Sequence, residues 1–264
     1  MNSFSKLLLS IIIPAYNEEK RISCTLDSYL EFFRKKIGNG FEIIVVLNGC
    51  RDNTKKVVDK ITATSPELKV LEFKKRIGKG GAIKEGFKVA RGEIVSFIDA
   101  DGATSPKMLH TLFMILCQLP NLDCVIGSRW LPGSVLNGFT KKRKIISRGY
   151  NLIVNLMFNL GFKDTQCGGK VLRRKILPKI MDNLTISDMS FDVNLLYEIK
   201  KHRGNVLEVP IEWNHDPYST IRIFRTSLGM LLSLLRLRIL NSPLKGTYPL
   251  LHNMAAPIRR WLGY

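Results

Sequence analysis

No Cys-x-x-Cys pair, no apolar run of the length a membrane-spanning helix needs, and no repeated or low-complexity segment occurs in this 264-residue chain. The five cysteines, Cys24, Cys50, Cys117, Cys124 and Cys167, are odd in number and scattered. Neither a disulfide framework nor a zinc site is favoured, and a reducing, cytosolic setting fits best. The apolar start, Leu7 to Ile13, is too short to span a bilayer and runs into Pro14 and the charged Glu18-Glu19-Lys20-Arg21 without a small-residue cleavage site, so it reads as a first strand. Acidic residues are scarce as well: 22 Asp and Glu against 41 Lys and Arg leave a net charge of +19. An excess of that size predicts anionic partners, whether nucleic acid, acidic lipid or a phosphorylated metabolite. Apolar residues at 45% and charged residues at 24% exclude a disordered chain and a multi-span membrane protein.

Residues 1 to 130 alternate short β-branched runs with polar turns and stretches of helical spacing, the sequence form of a mostly parallel α/β sheet. The expected strands are Leu8 to Pro14, Glu42 to Leu47, Lys69 to Phe73, Glu93 to Ile98 and Cys124 to Gly127. Their near-continuous apolar character suits strands covered on both faces. Helices are expected around 19 to 36, 52 to 63, 80 to 90 and 106 to 118, the last opened by Ser105 with Pro106 in its first turn.

After Arg129 a basic run, Lys141-Lys142-Arg143-Lys144, leads into the apolar Tyr150 to Phe162. Asn151, Asn155 and Asn159 recur at every fourth position, which predicts an amphipathic helix with an amide stripe beside Arg148 and Lys144. Near the C-terminus, helical spacing gathers Arg222, Arg225, Thr226, Gly229, Ser233 and Arg236 into one ~100° sector of an otherwise apolar helix. A narrow basic stripe on a wide apolar helix suits a membrane interface, with cations near lipid phosphates, or a core helix with one wet face.

Polar clusters follow the expected strands, and the carboxyl edge of an open α/β sheet is where ligands bind. They are Pro14-Ala15-Tyr16-Asn17-Glu18, Leu47-Asn48-Gly49-Cys50-Arg51-Asp52-Asn53-Thr54, Asp99-Ala100-Asp101 and Gly127-Ser128-Arg129. Two carboxylates two residues apart at a strand end converge on one side, and a hard divalent ion, Mg²⁺ or Mn²⁺, relieves their repulsion while leaving positions for diphosphate oxygens. Arg129 has the geometry to clamp a phosphate. Two further polar islands are Asp164-Thr165-Gln166-Cys167-Gly168-Gly169-Lys170 and Ser190-Phe191-Asp192.

In this order and spacing the clusters resemble the family 2 glycosyltransferases with the GT-A fold, over nearly the whole chain, and within them the dolichyl-phosphate sugar synthases. The resemblance rests on Ile11-Ile12-Ile13-Pro14-Ala15-Tyr16-Asn17-Glu18, Gly78-Lys79-Gly80-Gly81-Ala82 with Gly86-Phe87, Asp99-Ala100-Asp101, Gly127-Ser128-Arg129 and Asp164-Thr165-Gln166-Cys167-Gly168, the last most like the dolichyl-phosphate beta-glucosyltransferase branch. It implies a GT-A catalytic domain over 1–220 and a basic amphipathic membrane-associating segment over 221–264. The implied enzyme is an inverting, metal-dependent hexosyltransferase moving a sugar, UDP-glucose being the favoured donor, to dolichyl or polyprenyl phosphate, which makes a lipid-linked donor for protein glycosylation. GDP-mannose as donor and a glycan as acceptor are the alternatives within the fold.

The same resemblance implies nucleotide-sugar contacts from Pro14, Tyr16, Glu18, Val46, Asn48, Lys79, Asp99, Ala100 and Asp101, with Asp99 and Asp101 holding the metal. It implies Asp164, Arg129 and Asp192 at the reacting centre, and Arg129, Arg222 and Arg225 on the acceptor phosphate. The chain departs from the family pattern at Leu47 and Asn48, where acidic residues are usual, and at Ala103, where the mannose branch commonly has Gln. The basic acceptor loop appears as Ser219-Thr220-Ile221-Arg222. The expected setting is peripheral or monotopic, on the cytosolic face of an anionic membrane. No nucleic-acid partner is expected, because neither aromatic platforms interleaved with Arg and Lys nor a known binding motif is present. A dinucleotide oxidoreductase is disfavoured because Gly78-Lys79-Gly80-Gly81 lacks the full glycine fingerprint and follows the third strand.

Overall fold

Short β-branched runs, each followed by an amphipathic stretch, wind into a seven-stranded sheet of order β3-β2-β1-β4-β7-β5-β8 in the computed structural model, which describes residues 7–214 and 223–248. The first half holds β1 (Leu9–Ala15), α1 (Ile22–Ile37), β2 (Phe41–Asn48), α2 (Thr54–Thr62), β3 (Leu68–Phe73), α3 (Lys79–Val89), β4 (Ile94–Phe97), α4 (Pro106–Gln118) and β5 (Cys124–Ser128). All lie close to the positions expected from sequence. Ser105 caps α4 by accepting from Met108 N at 3.2 Å, with Pro106 in the first turn. All eight residues of β2 are buried, because the sheet has a core on each face. Ile12, Ile44, Val46, Val95 and Phe97 point to one core, Ile11, Ile13, Ile43 and Val45 to the other, the period-two alternation of strands.

The second half holds β6 (Val135–Asn137), α5 (Lys141–Phe158), β7 (Lys170–Arg173), α6 (Leu177–Ile180) between two 3₁₀ turns, α7 (Phe191–Lys201), β8 (Val206–Pro210), β9 (Glu212–Asn214) and α8 (Ile223–Leu240). β6 and β9 form a separate two-stranded ribbon. β7 runs antiparallel between β4 and β5, with Lys170 opposite both Phe97 and Ile126. That reversal matters for the site: the start of β7 lies at the edge where β4 and β5 end, so the loop 164–169 arrives beside Asp99 and Arg129.

Two helices differ from expectation. α5 begins at Lys141, capped by Thr140, and ends at Asn159, whose φ of 48° closes it in the left-handed region. The amide stripe is internal: Asn151 Nδ2 and Asn155 Nδ2 both donate to Phe162 O, at 2.8 and 2.9 Å, and so staple the returning chain to the helix. On α8 the stripe containing Gly229, Ser233 and Arg236 turns toward the protein: Ser233 Oγ donates to Asp188 Oδ2, and Arg236 Nε is shielded. Leu234 and Leu237 are buried in the core. The described part of α8 is therefore a docked helix, and the sector expected to meet lipid phosphates meets the loop before α7. Arg222 and the side chain of Arg225 lie outside the described residues. Among the described residues no helix is long and apolar enough to cross a membrane.

Candidate active site

At the end of β1 the chain turns at Asn17, whose φ of 56° suits an asparagine. Glu18 N then donates to Thr54 Oγ1 at 2.7 Å and Glu19 N to Asp52 Oδ2 at 3.1 Å, which ties this turn to the one after β2. The Glu18 carboxylate forks with Arg21, accepting from Nε and Nη2 at 2.8 and 2.9 Å. Burial pushes that carboxyl up against the pull of Arg21, and Asp101 and Asp99 add to the push. Pro14 is half-buried and Tyr16 is exposed, with the Arg76 guanidinium 4.6 Å over its ring. Asn48 is buried and accepts from Ile77 N at 2.7 Å, joining β2 to the loop before α3. Val46, expected near a nucleotide base, instead packs wholly inside the core beside Ala82 and Ile83. Its mid-strand position between Pro14 and Leu71 leaves its side chain no open face.

Past the end of β4, Asp99 bonds Lys79 Nζ at 2.5 Å, while Ala100 O accepts from Thr25 Oγ1 at 2.9 Å and Asp101 Oδ1 from Ala103 N at 3.0 Å. The two carboxyls are held unequally. Burial pushes Asp99 up, but Lys79, Lys170 and Arg129 together hold it below the ordinary range. Asp101 is pushed up by burial and then by the charge of Asp99. Lys79 opens α3, yet the amides behind it are taken: Gly80 N and Gly81 N both donate to Ser187 O, at 2.8 and 3.3 Å. Gly78 has φ of 80°, and a Cβ there would stand 2.1 Å from Ser187 O. The cation this edge presents is therefore the Lys79 ammonium, not a free helix N-terminus.

At the end of β5, Arg129 donates to Asp164 through Nε at 2.7 Å, Nη2 at 2.9 Å and its backbone N at 3.0 Å. Burial raises the Asp164 carboxyl, and Arg129 more than reverses that. Glu208 on β8 takes Asp164 N and Lys163 N, at 2.7 and 2.9 Å. Three rings, Trp130, Phe139 and Trp213, stand 5.7 to 5.9 Å from the Arg129 guanidinium. Lys170, 0% exposed, donates to Asp192 Oδ1 and to Cys167 O, both at 2.5 Å. A Cβ on Gly168 would stand 2.8 Å from Asp99 Oδ2, so the loop 164–168 runs directly from the Arg129 pair to the aspartate pair.

The model of Glycosyl transferase family 2 matches residues 10–181. The chain belongs to that family. The dolichyl-phosphate beta-glucosyltransferase of Dictyostelium discoideum is 32% identical over 247 residues, spanning 90% of this chain and 76% of that protein. The protein of the same name from Homo sapiens is 32% identical over 242 residues, spanning 88% and 75%. A solved structure of glucosyl-3-phosphoglycerate synthase from Mycobacterium tuberculosis, in complex with Mn²⁺, UDP and glucosyl-3-phosphoglycerate, superposes with a TM-score of 0.65 at 18% identity, covering 89% of this chain and 81% of that one. This family member is a glycosyltransferase with the GT-A architecture.

Its donor atoms suit a divalent cation beside a diphosphate. Asp99 and Asp101 supply hard oxygens, and the raised Asp101 carboxyl marks a place where positive charge is wanted. Among the described residues no group of three or more His, Cys, Asp or Glu surrounds a common point, so Asp99 and Asp101 would leave positions around such a cation for ligand oxygens and water. Sequence reading had no role for Lys170, Glu208, Arg76 or the three rings around Arg129. Lys170 stands at the end of a polar island, and only the fold brings it to Asp192.

Proposed function

We propose that the chain transfers glucose from UDP-glucose to dolichyl phosphate or a related polyprenyl phosphate, inverting the anomeric carbon. The observation that carries this reading is the run of one loop, 164–168, from the Arg129–Asp164 pair to Asp99, in a chain similar to dolichyl-phosphate beta-glucosyltransferases. Asp99 and Asp101 hold Mg²⁺ or Mn²⁺, which when bound neutralises charge on the departing diphosphate. Lys79 adds a second cation there. Pro14, Tyr16, Glu18, Asn48 and Ala100 shape the nucleotide side, with Arg76 beside Tyr16.

The acceptor phosphate has a second pKa near 6 and is substantially dianionic at neutral pH. One of its oxygens attacks the anomeric carbon, that carbon's bond to the diphosphate oxygen breaks with its electrons leaving on UDP, and no proton need be removed. The site must then bring two anions together, which asks for cations rather than a base. Arg129 is largely matched by Asp164, so additional positive charge comes from Arg222, Arg225 and the exposed Arg148, whose guanidinium lies 5.1 Å over the Trp130 ring. Asp164 orients Arg129 and the sugar, and Asp192 acts through Lys170 on the same loop.

The acceptor's chain is lipid, so the enzyme works as a peripheral protein at the cytosolic face of a membrane carrying acidic phospholipid. Between Asp123 and Asp164 there is no acidic residue and there are seven Lys and Arg. Within that stretch Lys141, Ile145, Arg148, Leu152 and Leu156 fall in one ~80° sector of α5. Ile145, Leu152 and Leu156 are 72%, 60% and 78% exposed. The segment 221–264 carries Lys and Arg and no acidic residue, which favours the same acidic surface. The test is transfer by purified protein with Mn²⁺, a panel of UDP- and GDP-sugars, and polyprenyl phosphate against soluble glycan acceptors. UDP-glucose with the lipid phosphate is expected to lead, and a clear preference for GDP-mannose or for a glycan would contradict the reading.

A further inference from the structure

The loop between the two halves of the site is pinned at nearly every residue. Asp164 is held by Arg129 and Glu208. Thr165 donates through N and Oγ1 to Asn151 Oδ1, at 3.2 and 3.0 Å. Cys167 O is taken by Lys170, and Gly168 lies against Asp99. Gln166 shares in this through its backbone, whose N donates to Asp164 Oδ1 at 3.1 Å. Its side chain does not: Gln166 Nε2 is shielded from solvent and has no acceptor among the described residues.

A shielded amide N–H without an acceptor costs about 1–3 kcal/mol, and native structures leave few such groups unexplained. Here the cost falls at the centre of the loop 164–168, between Asp164, which holds Arg129, and Gly168, which lies against Asp99. In the proposed reaction the group that passes between those two points is the hexose, whose hydroxyl oxygens are acceptors for such a donor. A donor held in place by a rigid loop discriminates well, because an unmatched sugar leaves it buried and unpaired. We propose that Gln166 is a specificity-determining residue, its side-chain amide donating to a hydroxyl of the hexose carried by the nucleotide. The inference rests on the proposed donor and extends it to a residue that reads the sugar rather than the nucleotide.

Calorimetric titration of the full chain with UDP and with UDP-glucose, both in Mn²⁺, tests it. Gln166→Glu keeps the shape and removes the donor, and Gln166→Ala removes the group. Both variants are expected to weaken UDP-glucose by roughly tenfold or more while leaving UDP within about twofold of the wild type. Equal weakening of both ligands would show a loop-building role and overturn the proposal, as would unchanged affinity for both. Wild-type protein that binds UDP-glucose but transfers nothing to polyprenyl phosphate would contradict the acceptor reading alone. Wild-type protein that does not bind UDP-glucose would contradict the donor assignment and this inference together.

Discussion

Arg129 and Asp164 are joined at three points, two from the guanidinium and one from the Arg129 backbone, inside a box of three aromatic rings. A pair so enclosed is costly to break by one partner, about 3–5 kcal/mol, because the survivor is left buried and charged. Asp164→Asn is expected to lower stability by that order in urea titrations and to cut transfer by at least about a hundredfold. The pH dependence follows from the depressed Asp164 carboxyl. Its stabilisation is complete above the ordinary Asp value of about 3.9 and is lost as pH falls through the lower folded value, so the variant's acid-unfolding curve should be shallower.

Lys170 and Asp192 form a second enclosed pair, the lysine wholly buried in the sheet. Lys170→Met leaves a buried carboxylate and is expected to cost about 3–5 kcal/mol. Combining it with Asp192→Leu should restore much of the melting temperature while activity stays low, because the anchor on Cys167 O is still missing. Thermal melts and kcat/KM of the single and double variants check this.

Glu198 on α7 is buried, its carboxylate oxygens have no hydrogen-bond partner among the described residues, with Lys201 Nζ and His202 Nε2 no nearer than 3.8 and 3.9 Å, and burial pushes its carboxyl up against their pull. A raised folded value means its contribution is fully present below the unfolded Glu value of about 4.3 and is lost as pH rises through the folded value. Glu198→Gln should therefore raise the melting temperature at pH 8 relative to wild type and leave it little changed at pH 4.

The α5 surface makes a separable prediction. Leu152→Glu with Leu156→Glu should sharply reduce sedimentation with vesicles containing acidic phospholipid, and Lys141→Glu with Lys142→Glu should do so in a salt-dependent manner, each cation near the surface being worth about 1 kcal/mol. Binding of UDP-glucose should be unaffected in both.

Legibility from sequence followed physical range. β1, β2 and β4 are apolar runs ending in polar clusters, so both the strands and the edge holding Glu18, Asp99 and Asp101 could be read from local pattern. β7 is four residues long and starts with a lysine, a residue that suits a sheet interior only when its partner is known. That partner, Asp192, is 22 residues away and arrives by way of α6 and α7. Periodicity gave α8 a polar sector but could not say that Asp188 faces it. It likewise gave the Asn151–Asn155 stripe without the carbonyl of Phe162 that it serves.

The central claim is that Asp99 and Asp101 together hold a divalent cation against the diphosphate of the donor. Manganese paramagnetic resonance of the full chain, with and without UDP, tests it most directly. Tight Mn²⁺ binding that requires UDP, present in the wild type and lost in both Asp99→Asn and Asp101→Asn, is the expected result. Mn²⁺ binding that is indifferent to UDP, or that survives both substitutions, would contradict it.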